Sequence, residues 1–134
     1  MVSKYDDLQA SYGRCLRAGG FIERFYEIFL ASHPAIAPMF AKTDFTQQRL
    51  ALRRGISLAL SYAAGMTMVT RSIDGMADVH SRKGRTPVPP SLYVYWLDSL
   101  IAAIREKDPE VNEPMLARWR TAMQVVIDRF TSHY

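Results

Sequence analysis

The chain has 134 residues, 49% of them hydrophobic and 22% charged, the proportions of one globular domain (1–134) with apolar material for a single core and no room for a reductase or output domain. A single cysteine, Cys15, excludes an internal disulfide framework and a cysteine-based zinc site, and it fits a reducing compartment. The formal charge of +4 comes from seventeen basic residues scattered among acids with no groove-reading motif, so no nucleic-acid partner is expected.

The N-terminal run "MVSKYDDLQA" carries Asp6 and Asp7 where a secretory signal needs an unbroken apolar stretch, so a cytoplasmic location is expected. A first helix is predicted near residues 5–17, with Cys15 read as a small buried hydrophobe. Phe21, Ile22, Phe25, Phe29 and Leu30 recur at helical spacing, and the prolines of "SHPAIAP" stop that second helix. Tyr26 lies among these apolar residues, where a buried hydroxyl needs a partner. His33, at the proline corner, and His133, the penultimate residue, read as surface histidines.

"TDFTQQRLALRRGISLALSYAAG" opens with Asp44 three residues before Gln47, the spacing of a capping box. Gln48, Leu52, Ile56, Ala59 and Ala63 then share one face of a long helix whose stripe begins with a polar amide. Gly65 and "MTMVT" mark an irregular connection. The uncharged run 55–70 is short and carries Ser, Thr and Gly, so no membrane span is expected.

Ile73, Met76, Ala77 and His80 lie on one face of a short helix terminated by Gly84 and the prolines that follow. After Pro89 and Pro90, Tyr93, Trp96, Leu97, Leu100, Ile101 and Ile104 form a strong stripe. Pro114 suits the first turn of a last helix carrying Leu116, Trp119, Met123, Val126, Ile127 and Phe130. Val94, Tyr95 and Trp96 widen the apolar surface of the penultimate helix, which fits either a homodimer through the last two helices or deep burial. No period-two segment appears, so the fold class is all-α, with six to eight helices.

From periodicity alone His80 is either a satisfied core histidine or a ligand. No second His, Cys or carboxylate stands at the i+3 or i+4 position to complete a zinc-type site. A lone protein ligand is what a porphyrin needs, because the macrocycle supplies four nitrogens. Hydrolytic chemistry has no Gly-x-Ser-x-Gly elbow or Ser-x-x-Lys motif to rest on.

Three blocks, "FIERFYEIFLASHPAIAPMF", "TQQRLAL" and "MADVHSRKGRTPVPPSLYVYWLDSLIAAI", together resemble the globin family, in its branch of bacterial single-domain haemoglobins, flavohaemoglobin haem domains and globin-coupled sensors. The resemblance runs from about residue 20 to the C-terminus and implies a globin fold around a pocket for haem b. It implies that His80 is the proximal iron ligand, with Tyr93 near it. Phe40 would pack on the porphyrin face and Leu52 would crowd the bound gas. Tyr26 matches the distal tyrosine, and Gln48 competes with Gln47 for the distal amide; the shared face with Leu52 favours Gln48.

The family's ligands are O2, NO and CO, and NO dioxygenation would require an external reductase, since no Gly-x-Gly-x-x-Gly fingerprint occurs in the chain. The loop "SRKGRTPVPPS" resembles sensor-type globins, which directs attention to gas sensing through a partner. Its Arg82, Lys83 and Arg85 either reach haem propionates or form a solvated basic loop. A different class of reading is a haem-free, globin-like interaction module in stress signalling, in which the proximal histidine is missing or the pocket filled.

Overall fold

The computed structural model describes residues 4–134, and among them every regular element is helical. The described residues form seven α-helices, α1 (Asp6–Ala18), α2 (Phe21–Ala31), α3 (Ile36–Met39), α4 (Phe45–Ala63), α5 (Thr70–Val79), α6 (Tyr93–Lys107) and α7 (Glu113–Ser132). Among the described residues no helix is long and apolar enough to cross a membrane.

The helix ends follow local chemistry. The Asp44 carboxylate accepts from the backbone N–H of Thr46 at 3.0 Å and of Gln47 at 3.4 Å, tying down free donors at the start of α4. Asn112 does the same for α7, accepting from Met115 N–H at 2.9 Å, with Pro114 in the first turn as its missing donor allows. Gly65, at φ +89°, turns the chain out of α4 in the left-handed region. The segment "MTMVT" is then a short 3-10 turn, Thr67–Val69, leading directly into α5, and a second such turn, Pro90–Leu92, leads into α6.

α2 packs along α6, while α7 touches α4, α5 and α6. Phe21, Phe25, Ile56, Leu60, Leu100, Ile104, Trp119 and Met123 are fully buried at these crossings. Cys15 is buried with them, and burial pushes its thiol up to about 12, so it remains a neutral core group. Where α1 meets the C-terminal end of α6 and the first half of α7, a polar cluster interrupts the apolar core. The Trp119 indole N–H donates to Ser11 Oγ at 3.1 Å, and Ser11 donates to Asp108 Oδ2 at 2.6 Å. Arg14 and the Glu110 backbone N–H complete the set of donors to that carboxylate.

α2 also packs against α4, and α4 packs against α5. Of the residues singled out from the sequence, Tyr26 lies on α2, Gln47, Gln48 and Leu52 on α4 and Tyr93 on α6, while Phe40 follows α3 and His80 follows α5.

Candidate functional site

Tyr26, midway along α2, is buried on the side of that helix that faces the end of α3 and the start of α4. Its ring meets Phe25 on its own helix, Phe40 after α3, and Phe45 at the start of α4. The Phe40 and Phe45 contacts are edge-on, at centroid distances of 5.9 and 5.5 Å, and those two rings stack on each other at 6.0 Å. Among the described residues this aromatic wall leaves the Tyr26 hydroxyl one protein partner, the Gln48 side-chain amide, which donates to it at 3.0 Å. Having accepted that bond, the hydroxyl keeps its own proton for donation. Burial pushes the phenol up to about 12, opposed by the Gln48 bond, so the group is a neutral donor throughout the physiological range.

Gln48 reaches Tyr26 because it lies one turn before Leu52 on the inward side of α4. Leu52 is half-buried and packs on the core, and Ile56 and Ala59 continue the same side as buried residues. Gln47 projects outward: its side chain is exposed, and its backbone N–H donates to the Asp44 carboxylate. The two adjacent amides thus occupy different environments, one against a buried phenol and one in solvent.

α5 ends at Val79, and His80 is its C-cap, with φ −92° and ψ 1°; its backbone N–H still donates to Met76 O at 3.1 Å, so the imidazole leaves from the last position of the helix. The ring lies 5.7 Å from that of Phe130 on α7. Its Nδ1 is 3.2 Å from the Thr86 carbonyl in the loop that follows. A carbonyl only accepts, so this bond puts the proton on Nδ1 and leaves the lone pair on Nε2. Burial pulls the imidazole below its usual value of 6.5, with the Thr86 bond acting the other way, and the ring is therefore neutral near pH 7. A neutral imidazole with a free Nε2 is the form that binds a metal.

Tyr93 opens α6 and is half-buried, its ring edge-on to Phe130 at 6.1 Å. His80 and Tyr93 thus share Phe130 as a neighbour, and the hydrogen bond that orients His80 runs to Thr86. Burial pushes the Tyr93 phenol up to about 12.

The other histidines are more engaged than surface residues need be. His33 is half-buried, its Nδ1 accepting from Ala35 N–H at 3.0 Å and its ring tilted on Tyr95. His133 Nδ1 lies 3.0 Å from Asp78 Oδ1. Among the described residues no three His, Cys, Asp or Glu side chains converge as a metal cluster.

Two participants escaped sequence reasoning. Phe45 sits three residues before Gln48, on the same side of α4, and that i, i+3 relation is a signal present in the sequence. The Thr86 carbonyl is backbone, and nothing about its residue type announces it.

No family model matches the chain, and no curated protein does either. Among solved structures it is similar to a crystal structure of a protein from Pseudomonas aeruginosa PAO1 described as structurally highly homologous to a human hemoglobin. The two are 38% identical, the alignment covers 96% of each chain, and the TM-score is 0.91. Likeness of sequence and backbone over nearly the full length of both chains places this one in a family: it belongs to the bacterial globins.

Proposed function

We propose that this globin holds haem b through His80 and reversibly binds diatomic gases, O2, NO and CO, on the Tyr26 side of the pocket. The observation that carries the reading is the His80 imidazole, kept neutral by burial and protonated at Nδ1 by the Thr86 carbonyl, so that Nε2 is free to ligate. The likeness of the Pseudomonas protein to a human hemoglobin supports it. A bound haem would bring four equatorial nitrogens and an iron whose remaining position takes a small gas molecule.

The side chains fit such a group. Phe40, Phe45 and Leu52 are half-buried apolar groups suited to a flat macrocycle, and they would keep water from it. Tyr26 and Gln48 are donors in a low-dielectric setting, able to hydrogen-bond a guest that carries partial negative charge. A charge-assisted bond of this kind contributes about 1.5–3 kcal/mol, which slows loss of the guest roughly 10- to 100-fold.

Absorption spectra test the reading. Ferric, ferrous, air-exposed ferrous and CO-treated ferrous samples are compared for the parent and His80→Ala. The parent is expected to show a Soret band that moves on adding each gas, and the variant to lose or shift it. A parent that refuses added haem would overturn the reading and leave a haem-free interaction module. Oxidation of NO to nitrate would draw electrons from a separate reductase; NO consumption that continues past one equivalent only when a flavin reductase is added is the expected result.

A further inference from the structure

The last carbonyls of a helix need donors, and α5 obtains some of its donors from the loop after it. Asp78 O accepts from Ser81 through both its N–H, at 3.2 Å, and its hydroxyl, at 2.7 Å. Thr86 N–H then donates to Val79 O at 2.9 Å and Val88 N–H to His80 O at 3.0 Å. The loop therefore turns back and runs alongside the helix end, and this return delivers the Thr86 carbonyl to His80 Nδ1.

Such a return brings one backbone position hard against the helix terminus, and that position is Gly84. A Cβ there would lie 2.2 Å from Asp78 O, 2.3 Å from Val79 O and 2.6 Å from Val79 C. All three are backbone atoms of the helix that bears the histidine, so a side chain at 84 is accommodated only if the loop lifts away. Gly75, on α5 itself, is the contrasting case, since a Cβ there meets nothing within 4 Å.

We propose that Gly84 is a positioning residue for His80: by letting the loop seat on the end of α5 it holds the Thr86 carbonyl against Nδ1, which sets the tautomer and orientation of the imidazole. The loop is held from its other side as well, with Arg82 N–H donating to Tyr134 O at 3.4 Å and the Arg82 guanidinium over the Tyr134 ring at 4.9 Å. The ring's orientation thus depends on a loop outside the helix that carries it. The functional meaning of this rests on His80 as the haem ligand; the loop–ring linkage itself does not.

The test is nitrogen and proton NMR of the histidine rings in the full chain, as purified and again after haem and CO are added, for the parent, Gly84→Ala and Gly75→Ala. In the parent, His80 is expected as the Nδ1–H tautomer, its ring proton exchanging with solvent at a rate that tracks the Thr86 and Val88 amides. Gly84→Ala is expected to speed that ring-proton exchange about tenfold or convert the ring to mixed tautomers. Gly75→Ala should leave the signal as in the parent. Unchanged His80 signals in Gly84→Ala would overturn the proposal. Should that variant fail to fold, the parent still decides: an Nε2–H ring, or an Nδ1–H whose exchange is unrelated to the loop amides, would overturn it too. A parent that takes up no haem yet shows the Gly84→Ala effect would sink the haem reading while leaving the positioning intact.

Discussion

Where α1 meets α6 and α7, Ser11, Asp108, Arg14 and Trp119 form a buried polar cluster; between α2 and α4, Tyr26 and Gln48 form another. In the first, Asp108 accepts from Ser11, twice from Arg14 and from the Glu110 N–H, while Ser11 also accepts from the Trp119 indole. Both carboxylate oxygens have two donors each, and no capacity remains for a guest. In the second, the phenol accepts a single bond and keeps a proton to give. Closed networks rigidify a core, whereas a buried donor with capacity to spare is suited to binding something from outside. The difference separates stability from ligand affinity, and substitutions in the two clusters should affect different measurements.

The largest effect is expected from Asp108→Asn, which leaves Arg14 without its buried anion. It should cost about 3 kcal/mol in denaturant unfolding and leave gas release unchanged. A change in gas release with unaltered stability would erase the distinction between the clusters.

Next in size is Tyr26→Phe, measured on the ferrous, haem-loaded protein. Oxygen release should quicken roughly 10- to 100-fold while unfolding stability moves by less than about 1 kcal/mol. An unchanged release rate would mean that the open phenol does not face the guest.

The adjacent amides sharpen the comparison further. Gln48→Ala should speed oxygen release about three- to tenfold, less than loss of the phenol, since the amide already gives one N–H to the Tyr26 hydroxyl. Gln47→Ala, at an exposed side chain, should leave release unchanged.

The smallest effect is one of pH. Burial works to raise the Asp108 carboxyl, but the Arg14 guanidinium, the Ser11 hydroxyl and the Glu110 N–H together hold it below its ordinary 3.8. Its folded value being depressed, its contribution to stability is present above pH 3.8 and is lost as pH falls from there through the folded value. An acid unfolding curve of the parent should therefore steepen below that point, and the curve of Asp108→Asn should lack this component.

Much of this architecture was legible along the chain. The apolar stripes of α2, α6 and α7, the prolines after Phe29 and before Tyr93, and the Asp44 cap all act within a few residues, and the helices begin and end close to where these signals stand. That Gln48 and not Gln47 turns inward was legible too, because a 3.6-residue period sends neighbouring side chains in different directions. His80 was only half legible. Its residue type, its solitude and its place at the end of the α5 stripe marked it, but the Thr86 carbonyl that orients its ring left no trace in the spacing.

Helices, caps and the inward side of each stripe follow from interactions between residues a few positions apart, which composition and spacing express directly. The Thr86 carbonyl at His80, the phenol of α2 against the amide of α4, and Phe130 behind the imidazole join residues from different elements. Those pairings depend on where helices cross and how a loop returns, and local propensity carries no record of either. Gly84 shows the limit most sharply: as a letter it marks a turn, and only the nearness of the Asp78 and Val79 carbonyls explains why no larger residue fits there.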